Sequence, residues 1–599
     1  MCSIYACLVS FAIAAVFSTA LVSSCMASDD AELSIQYKAQ LKGIWYGELK
    51  DSVRAQSLLL TPGVFAPATM HQLNMRVADD AMSMAEVLFA NGYLDAAITP
   101  YVETNRIPVC VSFHAQKGKR YTISTFTVVY TNIAEKVPQP QGDRLLKTGS
   151  PAVVSAVEEA EAELLRFLQE RGFPYPKKIC RTVTRDRTDK TVAVVCTIDP
   201  GRKAVLGEAT VQGCVRVNPT YIRNRIRWIP GAKYNVKVLE DLEKKLLQSG
   251  LFMTAKVGVK AADQAGTADQ PLPVQVSVAE RPFRTVRAGV SYYTDEGFGG
   301  QASWENRNLL ENAESLSFTL FGSEIGYGAN GRFKRPDLVA RDVDLCLDLE
   351  SSRDNPDAYD STKSRLAAML EKGVDTKLML SGGLAFEYDR VVQQDQSDEY
   401  DLVSVPLSAE WDYRNNEMDP FRGRMFLLSV TPYKDILSDT AFVKSEGEGN
   451  VYFRLMRSPQ TVLALRAMLG SIADAAGDKV PADKRFYAGG GGTIRGYKYQ
   501  SVGELENGDP VGGNSMAAVS AELRTRISSS LGAVLFTDGG TAYPGSSPDS
   551  DIPFLWGAGV GLRYFIGGLP LRFDVAVPLD RREDIDESFQ FYFSLGQSF

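Results

Sequence analysis

From Phe283 to Phe599 apolar and polar residues alternate in short runs broken by Gly, Asn, Asp and Pro. In the run Leu571 to Leu579, residues Leu571, Phe573, Val575, Val577 and Leu579 share one face while Arg572 and Asp574 share the other. That period of two is the signature of a strand with one face in each of two environments. Phe589, Phe591, Phe593 and Leu595 repeat the phase near the C-terminus. No apolar run inside the chain reaches the length of a membrane-spanning helix, which excludes a helical membrane protein but not a barrel. At about 10 residues per strand plus turns, the segment accommodates about sixteen tilted antiparallel strands. A soluble sandwich alternates in the same way. The length of the segment, its aromatic residues and the lack of a linker that splits it favour an all-β transmembrane barrel over 283–599.

Residues 30 to 282 carry a different texture, one pattern repeated three times at a period near 80 residues. Each repeat predicts a short strand, two helical stretches, a Gly-containing turn and two closing strands. The turns are Asn91-Gly92-Tyr93-Leu94, Arg171-Gly172-Phe173-Pro174 and Ser249-Gly250-Leu251-Phe252. Val157, Leu164, Leu165 and Leu168 precede the second turn at helical spacing, and Leu239, Leu242 and Leu246 precede the third. In each case the glycine is expected to end its helix with a left-handed cap. The boundaries expected are 28–117, 118–200 and 201–282, with Ala261 to Pro273 as a hairpin loop in the third unit.

A net charge of −8 argues against nucleic acid as a partner. His71 and His114 are the two histidines, so histidine-based catalysis or a histidine metal site has little material, and no enzyme activity, cofactor or metal is expected. The apolar stretch Ile4 to Val22, followed by small residues up to Ala27, reads as a signal peptide over 1–27. An uncleaved anchor is the alternative there, because the stretch is long and no Lys or Arg precedes it. Outside that segment stand Cys110, Cys180, Cys196, Cys214 and Cys346. Lys177 to Arg185 and Lys190 to Thr197 read as a hairpin, and pairing about Thr188 sets Cys180 opposite Cys196 as a candidate disulfide.

Chemistry concentrates in one loop. Gly489 to Gly492 is a four-glycine run, followed by Thr493-Ile494-Arg495-Gly496-Tyr497, with Arg495 the lone cation of an uncharged stretch. The helix, Gly-aromatic turn and paired strands of the repeats resemble the POTRA module. Ile494-Arg495-Gly496-Tyr497 resembles the arginine-glycine-aromatic signature of the outer-membrane assembly and two-partner secretion superfamily. Phe536-Thr537-Asp538-Gly539-Gly540 is similar to its Phe-x-Asp-x-Gly motif, Gly568 to Leu579 to its penultimate strand, and Asp412 to Gly423 to another of its turns. Three modules and this length resemble the TamA branch of that superfamily, the barrel subunit of the translocation and assembly module.

The resemblance implies that the loop folds into the barrel lumen, where an arginine must be paired or cost several kcal/mol. Glu522 is one candidate partner, because Val519, Ala521 and Leu523 form the apolar face of its strand. Asp538 is the other and is placed inside by the resemblance. Strict alternation gives it the same face as Val534 and Phe536, and a capping aspartate at a Gly-Gly turn stays open. The first and last strands would meet in a seam joining Val286 to Tyr293 with Phe589 to Gln597. Val286, Val290, Phe591, Phe593 and Gly596 are its markers, the glycine weakening it. By resemblance the protein is an insertase or translocase in the outer membrane of a Gram-negative bacterium, with its POTRA modules in the periplasm. Its partners would be the lipid bilayer, nascent outer-membrane or autotransporter proteins, and an inner-membrane-anchored TamB-like protein at the POTRA arm. The alternative is a two-partner secretion pore for a single cognate protein.

Overall fold

The computed structural model describes residues 34–599 except 45–46, 62–64, 132–136, 141–145, 260–270, 294–296, 375–376, 395, 474–478, 568, 596 and 598. The expected signal peptide and most of the expected loop at 261–273 lie outside the described residues.

Three small three-stranded sheets come first, the first two of them mixed. Tyr37–Lys42, Ala97–Glu103 and Val109–Gln116 form the first sheet, with Val109–Gln116 central. Helices Glu48–Ala55 and Met70–Ala90 accompany it, and Val53, Leu73, Met84 and Leu88 share its core with Val111 and Phe113. Thr122–Tyr130, Lys177–Asp186 and Thr191–Asp199 form the second sheet, which has one helix, Val154–Gln169, among the described residues. Leu206–Gln212, Phe252–Val259 and Leu272–Glu280 form the third, with helices Pro219–Arg225 and Val236–Gln248. Gly92, Gly172 and Gly250 have φ of 87°, 106° and 69°. Tyr93 and Phe173 donate their N–H groups back to Leu88 and Leu168, so each chain end folds over its own helix as a left-handed cap requires.

The second sheet corrects the disulfide. Its hairpin pairs Asp186 with Thr191, and the register sets Cys180 opposite Thr197 and Arg181 opposite Cys196, with an irregularity between Lys178 and Cys180. The expected register was off by one residue, and a one-residue shift sends a side chain to the other sheet face. Cys180 is exposed, Cys196 is buried, and both are free thiols. Burial pushes the Cys196 thiol up from its ordinary value, as for a reduced core cysteine.

The remaining strands close into an antiparallel barrel of 16 strands. They are β1 (Arg284–Tyr293), β2 (Gly297–Asn306), β3 (Ser315–Ser323), β4 (Gly326–Ala340), β5 (Val343–Asp354), β6 (Asp360–Gly373), β7 (Leu378–Gln393) and β8 (Gln396–Ser404, resuming at Leu407–Asp412). Then follow β9 (Gly423–Asp435), β10 (Ala441–Arg457), β11 (Gln460–Ala473), β12 (Ser515–Arg526), β13 (Leu531–Tyr543), β14 (Leu555–Ile566), β15 (Leu569–Pro578) and β16 (Gln590–Leu595). Pro406 has no N–H to give the ladder, which is where β8 breaks, and its carbonyl still accepts from Gly383. Outward positions such as Val286, Val290, Leu349, Leu366, Leu384, Leu535 and Val560 are exposed, the row of apolar side chains a lipid-facing wall presents.

The seam is narrower than the expected match of β1 with Phe589 to Gln597. Among the described residues β1 and β16 share two residue pairs, Tyr292 with Phe593 and Tyr293 with Tyr592, while β1 and β2 pair at ten positions from Arg284–Asn306 to Tyr293–Gly297. Phe589 lies outside the strand, exposed, and Gly596 lies outside the described residues.

Candidate functional site in the barrel lumen

The long connection between β11 and β12 enters the barrel. Ile494, Arg495 and Tyr497 are buried on it, with Arg495 2% exposed. Two glycines make the turn. Gly489 has φ 109°, and a Cβ there would stand 2.5 Å from the Lys498 carbonyl oxygen; Gly496 has φ 101°, and a Cβ would meet the Val577 carbonyl carbon at 2.8 Å. L-residues are strained at such φ, so glycine is required twice over.

β14 provides the seat. Gly557, Gly559 and Gly561 recur at a spacing of two and so fall on one face, the lumen face. A Cβ on Gly557 would stand 2.0 Å from the Arg495 carbonyl oxygen, one on Gly559 2.4 Å from the Phe536 ring, and one on Gly561 2.1 Å from Asp574 Oδ1. The three absent side chains leave a trough in the wall in which the loop and its arginine lie.

Arg495 is held on every side. Its Nε donates to Asp538 Oδ2 at 2.6 Å and its Nη2 to Asp538 Oδ1 at 2.9 Å, the bidentate fork that guanidinium geometry allows. Its backbone N–H donates to the same carboxylate at 3.2 Å. Nη1 reaches Glu522 Oε1 at 2.7 Å and Asp574 Oδ2 at 3.0 Å. The guanidinium carbon lies 3.5 Å from the centre of the Phe536 ring, a cation–π stack. The carboxylates have further cations: Arg524 on Glu522 at 2.7 Å, and Arg563 and Arg572 on Asp574 at 2.5 and 2.6 Å. Four arginines thus face three carboxylates in a site sealed from water, where each pair interacts strongly and an unpaired member is costly.

The remaining loop residues join the site to the seam. Gly496 donates its N–H to the Tyr592 hydroxyl at 3.0 Å, and Tyr592 lies on β16 opposite Tyr293 of β1. Tyr497 donates to the Trp556 carbonyl at 2.9 Å and accepts from the Asp580 N–H at 3.3 Å.

The structure therefore brings Ile494, Arg495, Gly496 and Tyr497 together with both sequence candidates, Glu522 and Asp538. Asp538 shares its face with Val534 and Phe536, as strict alternation requires, and all three are buried. That face is the lumen, and the apolar residues on it serve the loop. Phe591 and Phe593 lie on β16, where Phe593 packs on Phe573 with ring centres 4.8 Å apart. Val286 and Val290 are 75% and 74% exposed on the outer wall, apart from the loop site. Asp574, Phe536, Tyr592 and the trough glycines were missed as site residues. The polar face of Leu571 to Leu579 already marked Asp574 as inward, and the spacing of Gly557, Gly559 and Gly561 marked the trough.

A closed antiparallel barrel that follows small α+β modules and holds an arginine loop in its lumen has the architecture of a POTRA-bearing membrane barrel. The chain belongs to the Omp85 superfamily, whose domain matches residues 285–599. It is similar to the outer membrane protein assembly factor BamA of Nitratidesulfovibrio vulgaris, with 23% identity over 547 residues, covering 87% of this chain and 67% of that protein. Its likeness to BamA of Neisseria meningitidis serogroup B is also 23%, over 600 residues, covering 88% of this chain and 73% of the relative. The crystal structure of Haemophilus ducreyi BamA lacking POTRA domains 1–3 matches with a TM-score of 0.60 at 19% identity, over 79% of this chain and all of that one. At that identity the likeness concerns the fold.

Proposed function

We propose that this protein is a non-enzymatic insertase that assembles other β-barrel proteins, autotransporters among them, into a Gram-negative outer membrane through its β1–β16 seam. A strand cannot enter lipid with its N–H and C=O groups unpaired, at several kcal/mol each. An edge that opens at small cost relieves that penalty by offering a template. The observation that carries the reading is the seam, which has two residue pairs among the described residues. Opening it breaks far fewer backbone hydrogen bonds among the described residues than opening the ten-pair β1–β2 ladder would. The lumen loop is coupled to that edge through Tyr592. A loop pinned by five charge-assisted contacts from Arg495 also supports insertion over the alternative of a secretion pore, which needs a clear lumen.

On this reading the POTRA modules stand in the periplasm and hold incoming segments by strand addition. The three-module layout supports a TamA-like role with a TamB-like partner. A cysteine pair at Tyr292 and Phe593, facing positions of the seam, tests the reading. In reconstituted vesicles the oxidised variant should fail to assemble an autotransporter barrel and the reduced one should succeed. Equal assembly by both would sink it.

A further inference from the structure

The lumen loop carries a second buried cation, far round the wall from the first. Arg495 grips β12, β13 and β15, whereas Lys484, in the short 3-10 turn Ala482–Lys484, reaches β7. Lys484 is 9% exposed, and its Nζ ion-pairs with Glu387, with Asp389 at 2.9 Å and with the neighbouring Asp483 at 2.6 Å. Glu387 and Asp389 are two residues apart on β7, so both face the lumen, and they are 5% and 0% exposed at the side chain. Glu387 has a second cation in Arg365, opposite it on β6, but Lys484 is the one ion-pair partner of Asp389 among the described residues. Between the two anchors the loop buries Phe486, Ala488 and Ile494 in one cluster with Leu402 and Phe442 of the wall, and Val480 and Val502, on either side of the anchors, join it. Arg485 braces the turn by donating to the Val480 and Val511 carbonyls at 3.1 and 3.2 Å.

We propose that Lys484, clamped by Glu387 and Asp389, is a second latch that holds the loop across the lumen and keeps the barrel closed to ions. The argument is one of span. A loop fixed at Arg495 alone could swing about that point, since the glycine run beside it resists little. A second ionic anchor on β7 and an apolar layer between the two convert the loop into a lid. Lys484 is a positioning residue, and the proposal is independent of which protein the barrel handles.

Single-channel recording of the full-length protein in planar bilayers tests it, with heat-modifiable gel mobility reporting that each barrel is folded. Lys484→Met keeps the length of the side chain and strands Asp389 and Asp483. Its open-state occupancy should rise about a hundredfold, as expected on removing one partner of a buried pair. Glu387 keeps Arg365 when the lysine goes, so the neutral combination Asp389→Asn, Asp483→Asn, Lys484→Met removes the two carboxylates that lose their cation and should return most of the way to the wild-type silence. A silent Lys484→Met channel would overturn the latch. So would a neutral combination as open as Lys484→Met, which would make Lys484 a steric prop. Should Lys484→Met not fold, Lys484→Gln enters the same comparison with the same two outcomes.

Discussion

Replacing Arg495 by alanine removes the hub of the lumen site, and the structure indicates how the cost divides. Glu522 keeps Arg524, and Asp574 keeps Arg563 and Arg572. Asp538 loses both guanidinium bonds, and the side chain supplied its only cation among the described residues. Breaking a buried pair costs about 3–5 kcal/mol, chiefly because one carboxylate stays buried without a cation. Loss of the stack on Phe536 adds about 1–2 kcal/mol. The loop should therefore leave its trough while the wall, held by its own ladder, persists. In Arg495→Ala, Asp538→Asn the stranded charge is gone, so the double change should cost less than the sum of the single ones by about 1–3 kcal/mol. Arg495→Lys should recover little, because one ammonium cannot hold both oxygens of Asp538 and reach two further carboxylates. The assay is protease cleavage of the loop in folded, bilayer-reconstituted barrel, with urea unfolding followed in parallel. Strict additivity of Arg495→Ala and Asp538→Asn, or a loop in Arg495→Ala as protected as wild type, would refute the reasoning.

Gly557→Ala should expose the loop almost as much as Arg495→Ala, since its Cβ falls 2.0 Å from the Arg495 carbonyl oxygen, whereas Gly492→Ala, with open space around it, should not; loop proteolysis separates them. In the native protein under non-reducing conditions a maleimide should label Cys180 readily and Cys196 only on unfolding, and a Cys180–Cys196 peptide would contradict the register. The Asp95 carboxyl is held below its ordinary value, first by the Lys190 hydrogen bond at 2.8 Å and then by Tyr121. A lowered carboxylate pKa stabilises above the unfolded value near 3.8, and that contribution is lost as pH falls through the folded value. The thermal midpoint of the module region should thus fall more steeply below about pH 4 in wild type than in Asp95→Asn, and parallel curves would refute the pairing.

The sequence alone determined what depends on local periodicity. Alternation at a period of two marked the barrel and its outward faces, because each strand must meet lipid on one side and a polar interior on the other. Helical spacing followed by Gly92, Gly172 and Gly250 marked the module helices and their ends, because only glycine adopts that cap without strain. Glu522 was legible as a charge on an inward face, whereas Arg495 and Asp538 were placed in the lumen by the family resemblance. The tertiary structure decided whatever depends on register and on which surface meets which. A single residue of register separates a plausible Cys180–Cys196 bridge from two thiols on opposite faces, and local pattern does not fix a bulge. The placing of Phe536 inside, the trough of Gly557, Gly559 and Gly561, and the convergence of Asp574 on Arg495 arise because β12 to β15 lie side by side and a loop fills the space they enclose. The seam and the distant anchor at Lys484 follow from barrel closure. Closure brings together residues such as Tyr293 and Tyr592, some 300 positions apart in sequence, which no local pattern of a chain encodes.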